Sequence, residues 1–491
     1  ESAITSSSPV KSLAKTTTPA STASKDAAEI FSPELLAQYY SRLFPFHLLH
    51  SWLSYDPSSD LTQQTPNNPS NETKKTNNNN TFSHREFSFT IEPSPGDEIY
   101  IRYQSFSTVQ ELTTAVLKRN PRKIDIGAVF SHPPKDHHAY QNAKNDWRKF
   151  RPQQRELVFD IDLTDYDGVR NCGCSEAKIC KVCWKMMDMA VKVMDRGLRE
   201  DFGFRHVAWF YSGRRGVHAW VCDEEARDLS DEGRSAVANY FEMNLETEKK
   251  LNLDLNLPLH PSFQRAYNIL EPLFLRDILP ESGHGILATP SAWTALLSTL
   301  PMPTASSVVE SLTRKWESDT STSLEKWEEL KRYLDVLVGK VSKKSKKQSK
   351  NMDLSEKHRI EIWPIATVFR YTYPRLDINV SRQQNHLLKS PFCVHPKTGR
   401  VCVPINPEKV EEFDPFSVPT LPQLMRELDE YNDDCTHEKG SGGSEEQERK
   451  KPQWEWEKTS LRESFKCFEN DFLLPLCKDL RRVDRVKAED C

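Results

Sequence analysis

Two acidic side chains interrupt an apolar run at residues 157–162, where Asp160 and Asp162 alternate with Phe159 and Ile161. In an extended strand, successive side chains point to opposite faces, so the two carboxylates share one face while the apolar side chains can pack on a core. Carboxylates this close repel each other and raise each other's pKa unless a cation neutralises them. The pattern predicts a divalent-metal site, although a strand that ends in an Asp-rich turn would show the same residues.

A third acid, Asp377, lies in a stretch that also alternates, residues 373–380, on the face opposite Leu376 and Ile378. We expect a second strand here. Three carboxylates on neighbouring strands could hold two magnesium ions, and such a pair suits in-line phosphoryl or nucleotidyl transfer because the ions clamp the attacking and leaving oxygens. Taken alone, Asp377 would more often be an ordinary residue on the polar face of a strand.

A stretch rich in glycine and arginine joins two strand-like runs within residues 206–221, and this pattern predicts a β-hairpin. Gly213 and Gly216 let backbone amides approach a ligand closely, and the two arginines between them offer forked donors that match phosphate oxygens. An ordinary surface hairpin with a Gly-Arg turn would show the same sequence pattern. The candidate triphosphate contacts are Ser212, Arg214, Arg215 and His218, with Lys389 and His395 further along the chain.

Several motifs, in this order, resemble those of the eukaryotic DNA primase small (catalytic) subunit family, within the archaeo-eukaryotic primase superfamily. The matching stretches are residues 84–90, 99–106, 123–129, 156–167, 211–218, 375–380 and 386–392. The resemblance takes in most of the chain from about residue 32 to about residue 407.

The resemblance implies a nucleotidyltransferase that synthesises short RNA primers de novo on single-stranded DNA for DNA replication, by two-metal catalysis. It implies catalytic Mg²⁺ or Mn²⁺ at Asp160, Asp162 and Asp377, and contacts to the incoming ribonucleoside triphosphate from the candidates named above. The chain matches further active-site positions of the family at Glu86, to which we assign a catalytic role, and at the nucleotide-binding candidates Tyr100, Arg102, Lys123, Asp125 and His386.

The same resemblance implies a partner, the large primase subunit with its iron–sulfur cluster, within the DNA polymerase α complex, and hence a nuclear location. Two rival interpretations stay open. A primase-polymerase of repair or damage tolerance would share the acids but would differ in its preference for deoxynucleotides. A subunit that only binds nucleic acid or nucleotide would not need the acids intact.

Four cysteines, Cys172, Cys174, Cys180 and Cys183, lie within twelve residues and predict a structural zinc site, because four thiolates complete a tetrahedral zinc. A disulfide pair or reduced buried thiols are the alternatives. Members of the primase family commonly place the first two cysteines side by side, whereas Gly173 separates them here. A closed four-thiolate site leaves no open coordination position, so we assign this zinc no catalytic role.

The composition limits the remaining possibilities. The hydrophobic share of 37% is low for 491 residues, and polar segments explain much of that. A formal net charge of −4 argues against a generic polyanion binder, so contact with single-stranded DNA must be local.

Eleven cysteines without an apolar leader core or membrane-length apolar run predict a reducing compartment and no membrane contact. The Lys-rich run 340–350 fits a nuclear import signal and a solvated linker equally well.

We expect an α/β (α+β) fold, with a mixed-sheet catalytic domain, a helical insertion subdomain and a zinc-binding loop. The expected parts are a disordered segment 1–30, a first catalytic part 31–222 with the zinc motif 172–183 and a polar insertion at about 56–82, a helical subdomain 223–356 with the Lys-rich linker 340–350, a second catalytic part 357–415, and a C-terminal segment 416–491 with an acidic loop and a final helix.

Three patterns predict helices. Ser32 and Pro33 fit the N-cap and first position of an opening helix. Residues 461–480 predict a last helix with a break or kink at Pro475. A stripe at helical spacing predicts ordinary core in the helical subdomain, and it consists of Leu324, Trp327, Leu330, Leu334 and Leu337.

Overall fold

The computed structural model describes residues 30–56, 80–140, 145, 148–243, 255–345, 353–438 and 452–489. The predicted disordered segment up to residue 29, most of the polar insertion (57–79), the end of the Lys-rich linker (346–350) and most of the acidic loop (439–451) lie outside the described residues. In the part of the chain that is described, no helix is both long enough and apolar enough to span a bilayer.

The strands form two antiparallel sheets. They are β1 (Arg85–Ser94), β2 (Asp97–Gln104), β3 (Lys123–Phe130), β4 (Pro152–Gln154), β5 (Leu157–Asp162), β6 (Val207–Tyr211), β7 (Gly216–Val221), β8 (Leu388–Lys389) and β9 (Pro404–Ile405). The first sheet has the order β2-β1-β3-β4, with β8 also paired to β3, and the second has the order β5-β7-β6-β9. Every described strand pairing is antiparallel, whereas we expected a mixed sheet.

The predicted hairpin is confirmed, since β6 and β7 pair in antiparallel register. Strand β5 lies on the other side of β7, with Asp160 opposite His218 and Asp162 opposite Gly216. The alternation predicted for β5 also holds, because Phe159 and Ile161 are fully buried while the two acids are partly exposed. The register therefore places the acids directly beside the glycine- and arginine-rich turn.

The helices surround these sheets. They are α1 (Pro33–Arg42), α2 (Phe46–Ser54), α3 (Val109–Arg119), α4 (His137–Tyr140), α5 (Lys181–Glu200), α6 (Glu224–Arg227), α7 (Asp231–Phe241), α8 (Pro261–Leu273), α9 (Pro290–Leu297), α10 (Ser306–Trp316), α11 (Ser323–Ser345), α12 (Asp353–Thr372), α13 (Ile378–Arg382), α14 (Leu421–Glu438), α15 (Leu461–Cys467) and α16 (Leu474–Glu489). Ser32 caps α1 as predicted, because its side chain accepts the Leu35 N–H at 3.2 Å.

Between β7 and β8 the chain is helical. The predicted stripe is buried at Trp327, Leu330, Leu334 and Leu337, but Leu324 is 49% exposed. Helix α12 packs against both α11 and α8 and runs across the expected boundary at residues 356 and 357. The limits of the separate parts stay a prediction.

The predicted strand over residues 373–380 is wrong. Helix α12 ends at Thr372, and the short helix α13 starts just after Asp377, whose carboxylate accepts the Asn379 N–H at 3.2 Å. Pro374 favours an end to α12 because it has no N–H to donate and restricts the residue before it, and an Asp followed by a helical turn is a favoured N-cap. The apparent alternation at residues 376–380 came from one turn of helix.

The last predicted helix is present but is divided before Pro475 rather than at it. A π-helical segment, Phe468–Leu473, joins α15 to α16. A proline inside a helix removes a hydrogen bond and crowds the preceding turn, and a wider π turn relieves both.

Candidate active site

Asp160, Asp162 and Asp377 converge at one place, where all three line two adjoining cavities. Strand β5 holds the first two acids on one face, and the Asp377 backbone N–H donates to the Asp160 carbonyl at 3.1 Å. The third acid therefore reaches the pair as a helix cap and not on a strand. The predicted meeting of three carboxylates is seen in the structure, although the element that carries one of them differs.

The surroundings of Asp160 shift its protonation. Burial raises the pKa of Asp160 to about 7, and repulsion from Asp162 and then from Asp377 adds to this effect. Asp162 has an arginine as its counter-charge. Arg215 donates from Nε to the two carboxylate oxygens of Asp162, at 2.7 and 2.8 Å. Thr164 also donates its backbone N–H to Asp162 Oδ1 at 2.9 Å. A site with this surplus of negative charge is suited to a cation.

A fourth acid, Asp165, also lines the larger cavity, and we did not predict it. Burial raises its pKa, and Asp162 and Asp377 raise it further. Asp165 lies in a 3₁₀ segment, Leu163–Val169, that starts directly after β5. The spacing of three from Asp162 matches one 3₁₀ turn, and this signal could have been found in the sequence had the turn been recognised.

The smaller cavity has a volume of about 340 Å³ and contains most of the predicted phosphate contacts. Its polar lining consists of the three acids and Lys123, Ser212, Arg214, Arg215, His218, His386, Lys389 and His395. The larger cavity, of about 910 Å³, opens on the other side of the acids.

Positive charge dominates the side of the small cavity away from the acids. Burial lowers the pKa of His218 to about 3, and Lys389 lowers it further. The pKa of His395 is also lowered to about 3 by burial, followed by Lys389 and Arg214. Both imidazoles are therefore neutral at neutral pH, and His218 Nε2, 3.5 Å from Asp160, forms no ion pair with it. The cationic side chains of this pocket thus disfavour protonation of its two histidines. A pocket with this local positive potential is suited to bind an anion.

The turn between β6 and β7 needs its glycines. Gly213 has φ +89°, and a Cβ there would lie 2.7 Å from the Cβ of His395. A Cβ on Gly216 would lie 2.4 Å from the Ile161 carbonyl oxygen on the neighbouring strand. Lys389 donates to the Ser212 carbonyl at 3.1 Å and so ties β8 to the same turn. The turn is thereby held close to the end of β5.

Four predicted residues lie apart from the described lining of both cavities, namely Glu86, Tyr100, Arg102 and Asp125. Glu86 is fully buried, where it accepts from Arg102 Nε at 3.0 Å and from the Tyr103 N–H at 3.1 Å. The Tyr100 hydroxyl lies 3.4 Å from Asp125 Oδ2, and Lys123 pairs with Asp125 at 2.9 Å. Lys123 thus links this group to the cavity, and the individual roles stay predictions.

The four predicted cysteines form a cluster at the start of α5. Their sulfurs all lie within 4.8 Å of one another, and those of Cys180 and Cys183 are 3.8 Å apart. A Zn–S bond of about 2.3 Å places the sulfurs of a tetrahedral site about 3.8 Å apart. Gly173, with φ +78°, provides the turn that brings Cys172 into the cluster. The cluster could hold a metal ion, and Cys172 belongs to it despite the extra glycine.

Comparison with known proteins gives a consistent result. A family model described as DNA primase small subunit matches residues 159–407. The DNA primase small subunit of Drosophila melanogaster is 40% identical over 418 residues, which cover 83% of this chain and 85% of the relative. That of Schizosaccharomyces pombe is 40% identical over 400 residues, covering 81% and 78%, and that of Caenorhabditis elegans is 35% identical over 403 residues, covering 81% and 87%.

Proposed function

This chain belongs to the DNA primase small subunit family, and we propose that it joins ribonucleotides at the acid trio Asp160, Asp162 and Asp377, on a single-stranded DNA template. The catalytic subunit of a primase is a polymerase, and nucleotidyl transfer is the reaction type that such an enzyme performs. One observation supports this assignment most strongly: a cation-lined pocket and a wider cleft meet at the same three carboxylates.

The acid trio fits divalent cations, because it gathers carboxylate oxygens and because burial, followed by repulsion within the trio, raises the pKa of Asp160 to about 7. We propose that these three residues would hold Mg²⁺ or Mn²⁺. Such ions, when bound, lower the pKa of an attacking hydroxyl and stabilise charge on the transferred phosphate.

The chain's own residues position the substrates. The triphosphate would lie in the small cavity, where Arg214 and Arg215 offer forked donors and Lys389 a point charge. The larger cavity has room for the template and for the nucleotide whose 3′-hydroxyl attacks. The new bond joins this oxygen to the α-phosphorus, and pyrophosphate leaves towards the cationic side.

We propose zinc as the metal of the cysteine cluster. Four thiolates around one zinc would leave no open coordination position for a substrate, so the site would hold the loop in shape and take no part in the reaction. The alternatives, a disulfide or free thiols, remain for experiment to decide.

The relatives are named as small subunits, and a small subunit implies a complex. We propose that the partner is the large primase subunit with its iron–sulfur cluster, within the DNA polymerase α assembly, and that the complex acts in the nucleus. These proposals depend on the family relationship.

The test is template-directed joining of labelled ribonucleotides by the full-length chain on single-stranded DNA, with and without the large subunit. The wild-type chain should form dinucleotides and short primers with Mg²⁺ or Mn²⁺, while Asp160→Asn should form neither. A preference for deoxynucleotides and for existing primers would favour the primase-polymerase interpretation. A well-folded chain that incorporates nothing with its partner present would favour a purely binding subunit.

A further inference from the structure

The 3₁₀ segment Leu163–Val169 follows the acids of β5 without a break. Leu163, Tyr166 and Val169 recur every three residues, and all three are buried. A 3₁₀ helix has three residues per turn, so this spacing places them on one face towards the core. The segment starts at Asp162, whose carboxylate caps it by accepting the Thr164 N–H. The residue that caps the 3₁₀ segment is therefore itself one of the three acids.

Tyr166 reaches from this turn to the chain segment that carries Asp377. Its hydroxyl accepts the backbone N–H of Arg375 at 3.1 Å. The guanidinium of Arg375 lies over the tyrosine ring, 5.4 Å from its centroid, and donates to the Asp165 carbonyl at 3.0 Å. Burial raises the pKa of Tyr166 well above its ordinary value, so the hydroxyl keeps its proton.

The segment held in this way has no regular structure of its own. Residues 374–377 lie between α12 and α13, and the Asp377 carbonyl already belongs to the first turn of α13, where it accepts the Val380 N–H at 3.2 Å. Two backbone N–H groups of the segment donate to the region of the acids: that of Arg375 to the Tyr166 hydroxyl, and that of Asp377 to the Asp160 carbonyl. The Arg375 guanidinium adds bonds to the Asp165 and Arg370 carbonyls. These two backbone bonds join the segment to the turn after β5 and to β5 itself, and so contribute to where the segment lies.

We propose that Tyr166 is a positioning residue for the acid trio, which acts through the backbone of Arg375 to set Asp377 beside Asp160 and Asp162. The proposal rests on the proposed function of that trio. Without the hydroxyl, the Arg375 N–H loses this hydrogen bond, and the backbone on the N-terminal side of Asp377 is held less firmly. The third carboxylate then occupies a wider range of positions, so the cation is held less tightly.

The test is Tyr166→Phe in the full-length chain, with Mn²⁺ affinity measured by electron paramagnetic resonance without nucleotide. Loss of a partner that orients a ligand typically costs at least about 10-fold in metal affinity, and we expect a loss of about this size. In primer synthesis, the metal dependence should shift by the same factor, while the KM for nucleotide at saturating Mn²⁺ stays unchanged. Tyr40→Phe is the matched control, since it removes another buried hydroxyl, bonded to the Pro121 carbonyl at 2.8 Å, away from the acids.

A double-mutant cycle with Asp377→Asn separates positioning from general destabilisation. If Tyr166 acts through Asp377, adding Tyr166→Phe to Asp377→Asn should cost no further Mn²⁺ affinity. A Tyr166→Phe chain that binds Mn²⁺ like the wild type would overturn the inference, even if its melting temperature falls. A wild-type chain that binds no Mn²⁺, with or without nucleotide, would instead overturn the proposed function, and the inference with it.

Discussion

Arg215 donates from Nε to both carboxylate oxygens of Asp162, at 2.7 and 2.8 Å. The guanidinium that we assign to the triphosphate thus binds one of the proposed metal ligands. The same carboxylate lone pairs of Asp162 would accept from Arg215 and bind the metal ion. Arg215 and the metal ion therefore compete for Asp162. An incoming triphosphate would draw Arg215 away and bring its own metal, and we expect metal and nucleotide to favour each other's binding.

Arg215→Ala should therefore have opposite effects on the two ligands. The KM for nucleotide should rise by about 10-fold, because a charge-assisted contact to phosphate is lost. Mn²⁺ binding without nucleotide should tighten, because Asp162 is released. Arg214→Ala is the control: Arg214 lines the same cavity, so its KM should rise as well, but Mn²⁺ binding should not tighten. Equal Mn²⁺ affinity in Arg215→Ala and wild type would contradict the competition.

Asp160→Asn and Asp377→Asn should each lower primer synthesis by at least about 100-fold, since each removes a proposed metal ligand and not only a group that orients one. Folding should survive, because both changes keep the shape of the side chain and relieve repulsion. Circular dichroism and the melting temperature check the fold, and labelled ribonucleotide incorporation checks the activity. Full activity in either folded variant would show that the acids hold no catalytic metal.

The stability of the chain in chelator should depend on pH through Asp160. Its pKa of about 7 in the folded chain exceeds the ordinary value of 3.8, so the folded state binds the proton more tightly than the unfolded state. This contribution is complete below about pH 4 and is lost as the pH rises towards 7. Mg²⁺ should restore the loss, and its stabilising effect should grow over the same range.

The measurement is the melting temperature in chelator and in Mg²⁺ at pH 5.5 and pH 8, for wild type and Asp160→Asn. Other titrating groups are common to both chains, so the difference between them isolates Asp160. A stabilising effect of Mg²⁺ that is equally large at both pH values would contradict the proposed role of repulsion.

Elemental analysis of the chain purified without added metal should find about one zinc per molecule. Cys180→Ser should lose it and lower the melting temperature, because a bound structural metal contributes directly to folding. Cys467→Ser is the control, as this half-buried cysteine lies outside the cluster. Zinc retained in Cys180→Ser, or absent from the wild type, would favour the disulfide or free-thiol alternative.

Gly213→Ala should raise the KM for nucleotide, because the new methyl group meets His395 and the backbone there has φ +89°. We expect a destabilisation of about 1 kcal/mol or more and a displaced turn. Gly168→Ala should be tolerated, since nothing lies within 4 Å of the added Cβ. Steady-state kinetics of the two variants gives the comparison, and identical KM values would contradict a role for the turn in nucleotide binding.

Local patterns predicted the parts of the site that local geometry determines. The alternation of Asp160 with Phe159 and Ile161 needs only a strand, and the hairpin needs only two strand-like runs around a turn. Asp377 was placed in the wrong element because the alternation over residues 376–380 also fits a helix cap and one helical turn. Its position beside Asp160 depends on a backbone hydrogen bond between residues 217 apart in sequence, which no local pattern contains.

Two further acids, Glu86 and Asp165, show what local patterns do not contain: the role of Glu86 stays a prediction, and Asp165 was not predicted. Glu86 matches a family motif, yet its burial depends on Arg102 and on how β1 pairs with β2. The spacing of Asp165 from Asp162 fits a 3₁₀ turn, but its approach to Asp377 depends on the position of a distant segment, which the spacing does not give. Both depend on contacts between distant parts of the chain.

The hydrogen bond between Asp377 N–H and the Asp160 carbonyl has a consequence for biosynthesis. A growing polypeptide on the ribosome can fold β5 and the hairpin long before residue 377 has been made. Until that residue emerges, the nascent chain holds two of its three acids and cannot polymerise. A messenger truncated before this point would therefore yield an inert fragment, which would also lack His386, Lys389 and His395 from the lining of the small cavity.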